Sequence, residues 1–111
     1  MKYMALIYGE EDAWSALSKE EQQKAFDRYV ALSREPVVSH GSELQDSDAA
    51  TTVRVRDGET LTTDGPFAET KEQLGGFYLI DCESLDEAIE FAARIPAAER
   101  GAVEVRPLVE R

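Results

Sequence analysis

The sequence predicts an α+β protein of ferredoxin-like type, a βαββαβ arrangement with an added hairpin strand. Three observations carry that prediction. Residues 3–8 and 77–82 are short apolar runs, the pattern of strands buried on both faces. Ser18 and Ser84 each stand three residues before a glutamate, Glu21 and Glu87, and each opens a stretch of apolar residues at helical spacing. Asp57-Gly58 lies between two strand-like runs and is a favoured two-residue hairpin turn.

Taken in order, Tyr3 to Tyr8 reads as a central strand, followed by the acidic loop Gly9-Glu10-Glu11-Asp12. Trp14 and Leu17 form a small apolar island, expected to act as a lid over the core edge, with a ligand-facing Trp14 as the alternative. The helix capped by Ser18 carries Ala25, Phe26, Tyr29, Val30 and Ser33 as one stripe, and Pro36 stops it. Val37-Val38 leads into Ser39-His40-Gly41-Ser42, read as a loop, and residues 43–50 are polar and irregular. Thr51 to Arg56 alternates as a half-buried strand, and Glu59 to Thr63 returns as its partner. The second helix presents Leu85, Ala88, Ile89 and Ala92 on one face and ends at Pro96. Val103, Val105 and Pro107-Leu108 make the last strand.

Two helices on one face of a sheet leave its other face bare. Because the strands at 3–8 and 77–82 are apolar on both sides, the simplest cover is a second copy packed sheet to sheet. A homodimer is therefore expected; loops covering the open face of a monomer are the alternative.

The 111 residues are expected to form one domain, 1–111, with one modest core. The formal charge of −11 argues against nucleic-acid binding, which needs basic patches, and against anionic membrane surfaces. The single cysteine, Cys82, allows no intrachain disulfide and fits a reducing compartment; at the end of an apolar strand it reads as a buried, inert thiol. No secretory leader is visible and no apolar run approaches the ~20 residues of a membrane helix, so the expected location is the cytoplasm. One His and one Cys do not make a zinc site without carboxylates, and no phosphate-binding glycine loop, dinucleotide fingerprint or G-x-S-x-G appears. No metal or cofactor is expected.

The densest stretch runs from Asp64 to Gly76. Asp64-Gly65-Pro66 is a turn signal, Phe67 reads as an apolar anchor pinning the loop to the body, and residues 68–74 have the composition for one or two helical turns before Gly75-Gly76. A loop this constrained reads as ordered, either a functional element or a connector that fixes strand register.

The run DGPFAETKEQLGGFYLIDC resembles the DGPF branch of the YCII-related family. The likeness extends to Met1-Lys2-Tyr3-Met4, Ile7-Tyr8-Gly9, Thr52-Val53-Arg54-Val55, Ile95-Pro96 and Val103-Glu104-Val105-Arg106-Pro107, nearly the whole chain. It implies a ferredoxin-like fold paired into a dimeric α+β barrel, in a family that is mostly uncharacterised and suspected to be enzymatic. Related short YCII proteins carry a histidine in the first helix, thought to pair with an acidic residue. Residues 18–36 here contain none, so no such dyad is assigned.

Asp64 matches the family motif and is the candidate catalytic base, with a turn-capping role as its alternative. Tyr8, Phe67, Glu69 and Lys71 are the candidate substrate-binding residues; against this stands the reading of Glu69 and Lys71 as a solvated pair, which exposed loop charges favour, and of Tyr8 as core. His40, the lone histidine, is a further candidate acid or base. Two functions stand against each other. One is a cofactor-independent enzyme moving a proton on a small metabolite, of isomerase or lyase type. The other is a non-catalytic binding or regulatory module; the resemblance associates it with sigma-factor-linked transcription systems. A dimer that has lost its activity is the third reading.

Overall fold

The computed structural model describes residues 1–111. The chain runs β1 (Lys2–Gly9), α1 (Lys19–Ser33), β2 (Val38–Glu43), β3 (Thr51–Arg56), β4 (Glu59–Asp64), β5 (Gln73–Asp81), α2 (Leu85–Ala93) and β6 (Ala102–Pro107), with 3-10 turns at Ser47–Ala49 and Pro96–Glu99. Four strands form an antiparallel sheet in the order β2-β5-β1-β6, the ferredoxin-like order. The α+β expectation holds.

The hairpin departs from it. β3 and β4 pair only with each other and add no strand to the sheet. The fourth sheet strand is β2, in the stretch read as a loop. Ser-His-Gly-Ser has poor intrinsic strand preference, but pairing with β5 satisfies its backbone. The hairpin turn itself is as expected: Asp57 and Gly58 have φ of 51° and 78°, the positive values that a type I′ turn demands.

The core lies between the sheet and the helices. Tyr3, Ala5, Tyr78 and Ile80 come from the sheet, Leu32 from α1, and Ala88, Phe91 and Ile95 from α2 and its end. Tyr78 meets Phe91 edge-on at 5.5 Å between ring centroids, and its hydroxyl donates to the Tyr29 carbonyl at 3.1 Å. Burial of the phenol pushes the Tyr78 pKa up to about 12, with the neighbouring Tyr29 adding to the rise.

Both helices sit slightly rotated from their expected faces. In α1, Leu32 is buried, Ala25, Tyr29 and Val30 are half-buried, and Phe26 and Ser33 are exposed. In α2, Phe91 turns inward with Ala88 and Ala92, while Leu85 and Ile89 stay exposed. Phe91 has more apolar surface to bury than either aliphatic neighbour, and its ring sets the helix's rotation. The Ser18 box forms as expected, with Ser18 accepting from Glu21 N–H and Glu21 accepting from Ser18 N–H, both at 3.1 Å. The Ser84 box is only half made: Ser84 accepts from Glu87 N–H, but the Glu87 carboxylate accepts from Glu83 N–H instead.

Residues 65–72 form bends and irregular chain, not helix. The Gln73 side chain donates to the Ala68 and Thr70 carbonyls, and Gln73 and Leu74 are drawn into β5 by pairing with Gly9 and Tyr8. Gly75 and Gly76 therefore lie inside a strand. At Gly76 a Cβ would come within 2.9 Å of the Ser42 carbonyl oxygen on β2, which explains the missing side chain there.

Candidate functional site

Period-two alternation divides the sheet residues between its faces. Tyr3, Ala5, Tyr78 and Ile80 point to the helices. Met4, Leu6, Tyr8, Phe77 and Leu79 are directed to the other face, where they remain partly exposed and no helix covers them. β6 adds Glu104 beside Leu6 and Arg106 beside Met4, and these two side chains form an ion pair.

His40 belongs to this open face. It pairs with Leu79, and its ring lies 5.8 Å from the Phe77 ring, tilted by 50°. Val38, two residues earlier, packs against the core instead. Simple alternation would put both on one face, but the register shifts between them, and a one-residue slip moves a side chain to the opposite side. That bulge delivers the chain's lone imidazole to an apolar surface beside an aromatic ring.

Asp64 ends β4, opposite Thr51, and is exposed. The turn after it is held by other groups: Gly65 N–H donates to the Ala50 carbonyl at 2.7 Å, and the Thr52 hydroxyl donates to the Gly65 carbonyl at 2.8 Å. Gly65 has φ of 100°, which favours glycine at this point of the motif. The turn-capping alternative for Asp64 is not what holds the loop. Phe67 is 80% exposed and so is no anchor to the body. Pro66 before it, and the bonds that join Gly65 to Ala50 and Thr52, fix the loop instead.

Lys71 pairs with Glu10 at 3.2 Å. Together with Glu11, Asp12, Thr70 and Gln73 these two line an open cleft of about 430 Å³ between the first acidic loop and the motif loop. The Glu11 carboxylate accepts bonds from the Ser47 hydroxyl and backbone N–H, which hold its pKa below the usual carboxylate value. Among the predicted site residues this cleft takes Lys71; Asp64, Tyr8, Phe67, Glu69 and His40 do not line it. Glu69 is exposed. Trp14, expected as a lid, is 46% exposed, and its carbonyl accepts from the Gln22 side chain. No group of three or more His, Cys, Asp or Glu is arranged to hold a metal ion. No helix is long and apolar enough to cross a membrane. A second cleft, of about 470 Å³, is lined wholly by apolar residues of α2, the turn after it and β6.

A family model for the YCII-related domain matches residues 1–111. The chain belongs to the YCII-related family. It is also 47% identical, over 97% of its length and 92% of the relative's, to an uncharacterised protein of Rhizobium meliloti (strain 1021). Within this YCII-related chain, the structure brings His40 onto one face with Tyr8, and puts Asp64 on the hairpin and Lys71 in the acidic cleft. Sequence reasoning missed Phe77 as the partner of His40. The continuous apolar run at 77–80, which puts Phe77 and Leu79 on the face away from the helices, was the available signal, but the bulge in β2 hid which side His40 takes.

Proposed function

We propose that this YCII-related protein works as a homodimer whose open sheet faces pack on one another and enclose a binding chamber for a small planar metabolite. His40 moves a proton on that molecule without a cofactor, in an isomerisation or elimination. The observation that carries the reading is the imidazole of His40 beside Phe77 on an apolar face that the chain's own helices leave uncovered. An imidazole changes charge near neutral pH, and a neighbouring aromatic ring favours a flat, conjugated ligand. Neutral His40 would take a proton from carbon next to a carbonyl; the electron pair moves onto the carbonyl oxygen, and imidazolium returns the proton to a neighbouring carbon or to the leaving group. This gives the proton-transfer role to His40 in place of Asp64, which stands exposed on the hairpin.

The test is deuterium wash-in. Small aromatic and aliphatic carbonyl compounds are incubated with the protein in D2O and followed by NMR. Exchange at carbon that is lost in His40→Gln and kept in Asp64→Asn supports the reading. The reverse pattern assigns the base to Asp64. A panel with no exchange and no stabilisation of the protein by any compound sinks the enzyme and leaves the second reading, a non-catalytic module that binds a protein. That alternative is favoured by the exposed apolar cleft along α2.

A further inference from the structure

The β3–β4 hairpin leaves its better apolar face without a partner. Val53 and Val55 lie on one side with Thr60 and Thr62 opposite them, and the valines are 59% and 58% exposed. Arg54 and Arg56 take the other side with Leu61. A lone two-stranded ribbon is marginal in water and needs something to pack against. The hairpin also stretches the molecule. Its extents are 45 × 43 × 19 Å and its radius of gyration 15.9 Å, against about 13 Å for a compact chain of this length.

The apolar cleft is the complementary feature. Leu85 and Ile89 of α2, with Ala98, Val103 and Val105, form most of a wall with no polar side chain. Asp86 and Glu90 follow the two exposed α2 residues by one position, bringing negative charge beside the groove. The hairpin cannot use the groove of its own chain in this arrangement. It leaves from β2 at one edge of the sheet, and the groove follows β6 at the other, three strand spacings or ~14 Å away.

A second copy removes that obstacle. If the two open faces are related by a two-fold axis parallel to the strands, β2 of one copy lies over β6 of the other. The pairings Glu43–Gly76, Gly76–Ile7 and Ile7–Val103 put the end of β2 level with the start of β6. The hairpin therefore emerges beside the partner's groove. A two-fold axis across the strands would set it at the partner's β2 edge, away from the groove.

Area supports the first arrangement. Four strands about 4.8 Å apart and ~20 Å long offer a face of roughly 400 Å², so stacking two faces removes only about 800 Å², the scale of a weak contact. Each hairpin face covers roughly 200 Å² by the same geometry, and two hairpins seated in two grooves bring the total to about 1,600 Å², a standard specific interface. Resting on the dimer proposed above, we infer that each β3–β4 hairpin crosses to the other copy and lays Val53 and Val55 into its groove between α2 and β6.

The experiment uses full chains with two different tags, one carrying Val55→Cys and the other Ile89→Cys, mixed, oxidised mildly and resolved by mass. Sedimentation of the unmodified chain gives the oligomeric state, and Val53→Ser/Val55→Ser is compared with it. The expected result is a dimer, a disulfide between the differently tagged chains, and a dimer dissociation constant raised at least ~100-fold in the serine variant. Those valines are exposed in the single chain, so circular dichroism of the serine variant should report an intact fold. A dimer without the mixed disulfide and with an unchanged dissociation constant overturns the crossing hairpin and leaves the face-to-face dimer standing. In a parallel sample of the doubly substituted chain Val55→Cys/Ile89→Cys, a disulfide that closes only within one chain also overturns it. A chain that sediments as a monomer at micromolar concentration overturns the dimer itself.

Discussion

Gly41→Ala is the substitution that ties the fold to the candidate site. Gly41 lies in β2 next to His40, opposite Tyr78. A Cβ at this position would sit 2.6 Å from Cδ1 and 2.9 Å from Cε1 of the Tyr78 ring, and 3.2 Å from the Phe77 carbonyl oxygen. The φ of Gly41 is not positive, so the glycine is required by space and not by dihedral angle. The ring cannot retreat freely, since it is 6% exposed, meets Phe91 edge-on and donates to the Tyr29 carbonyl. Overpacking of this kind costs about 1–3 kcal/mol. The reduced freedom of the unfolded chain returns about 0.5–1 kcal/mol. The net loss should be about 1–2 kcal/mol, or a fall of roughly 4–10 °C in Tm at fixed protein concentration. Urea and thermal unfolding measure it. In a Tyr78→Leu background the same change should cost at least ~1 kcal/mol less, because the opposing ring is gone. Displacement of β2 should also weaken the ring-current shift that Phe77 imposes on the His40 ring protons. An unchanged Tm for Gly41→Ala, or an equal loss in both backgrounds, would refute the steric account of how β2 is seated and with it the placement of His40.

Alkaline titration follows from Tyr78. Burial pushes its pKa up to about 12, above the ordinary phenol value of 10.0, so its contribution is complete below pH 10 and lost as pH rises toward 12. Tyr78→Phe should flatten that part of the stability profile, at a cost near neutral pH of about 1 kcal/mol for the lost hydrogen bond. Cys82 is 5% exposed and its thiol pKa is raised, first by burial and then by Glu87 and Asp81. A thiol reagent such as Ellman's should label it only as fast as the chain unfolds, and rapid labelling of the native protein would contradict its burial. Ser18→Ala removes one half of the α1 capping box and should lower stability by about 1 kcal/mol, whereas Ser84→Ala should cost less because its box is incomplete.

Elements written by local rules were legible. The apolar run of β1, the serine caps and the Asp57-Gly58 turn each specify their structure within a few residues. β2 was not legible, because Ser39-His40-Gly41-Ser42 becomes a strand through its partner and not through its own preference. The rotation of α2 escaped for a related reason. Helical spacing admits several overlapping faces, and only packing against Tyr78 selects the one that contains Phe91. The loop after Asp64 had helix-compatible composition, but Gln73 and Leu74 were claimed by a sheet whose other strand lies more than sixty residues earlier.

The candidate chemistry was hidden by the same non-local logic. The Asp64 motif draws the eye because its residues are contiguous and conformationally special, and the structure accounts for much of that by backbone need: a positive φ at Gly65 and a β3 hydroxyl that clasps the turn. A motif explained by turn geometry has less left over to be explained by catalysis. His40 shows the opposite balance. Nothing in the backbone of an exposed edge strand asks for histidine, yet a bulge turns it onto the uncovered apolar face beside Phe77. An ionisable ring placed where burial by a second copy would strip its water is costly unless it has a task or a partner there. The two-fold arrangement inferred above would supply such a partner. In the proposed dimer, with β2 over β6, His40 of one copy would lie across from the strand that carries Glu104 and Arg106 in the other. A site of that kind would have no contiguous signature in one chain, since half of its residues would arrive by rotation.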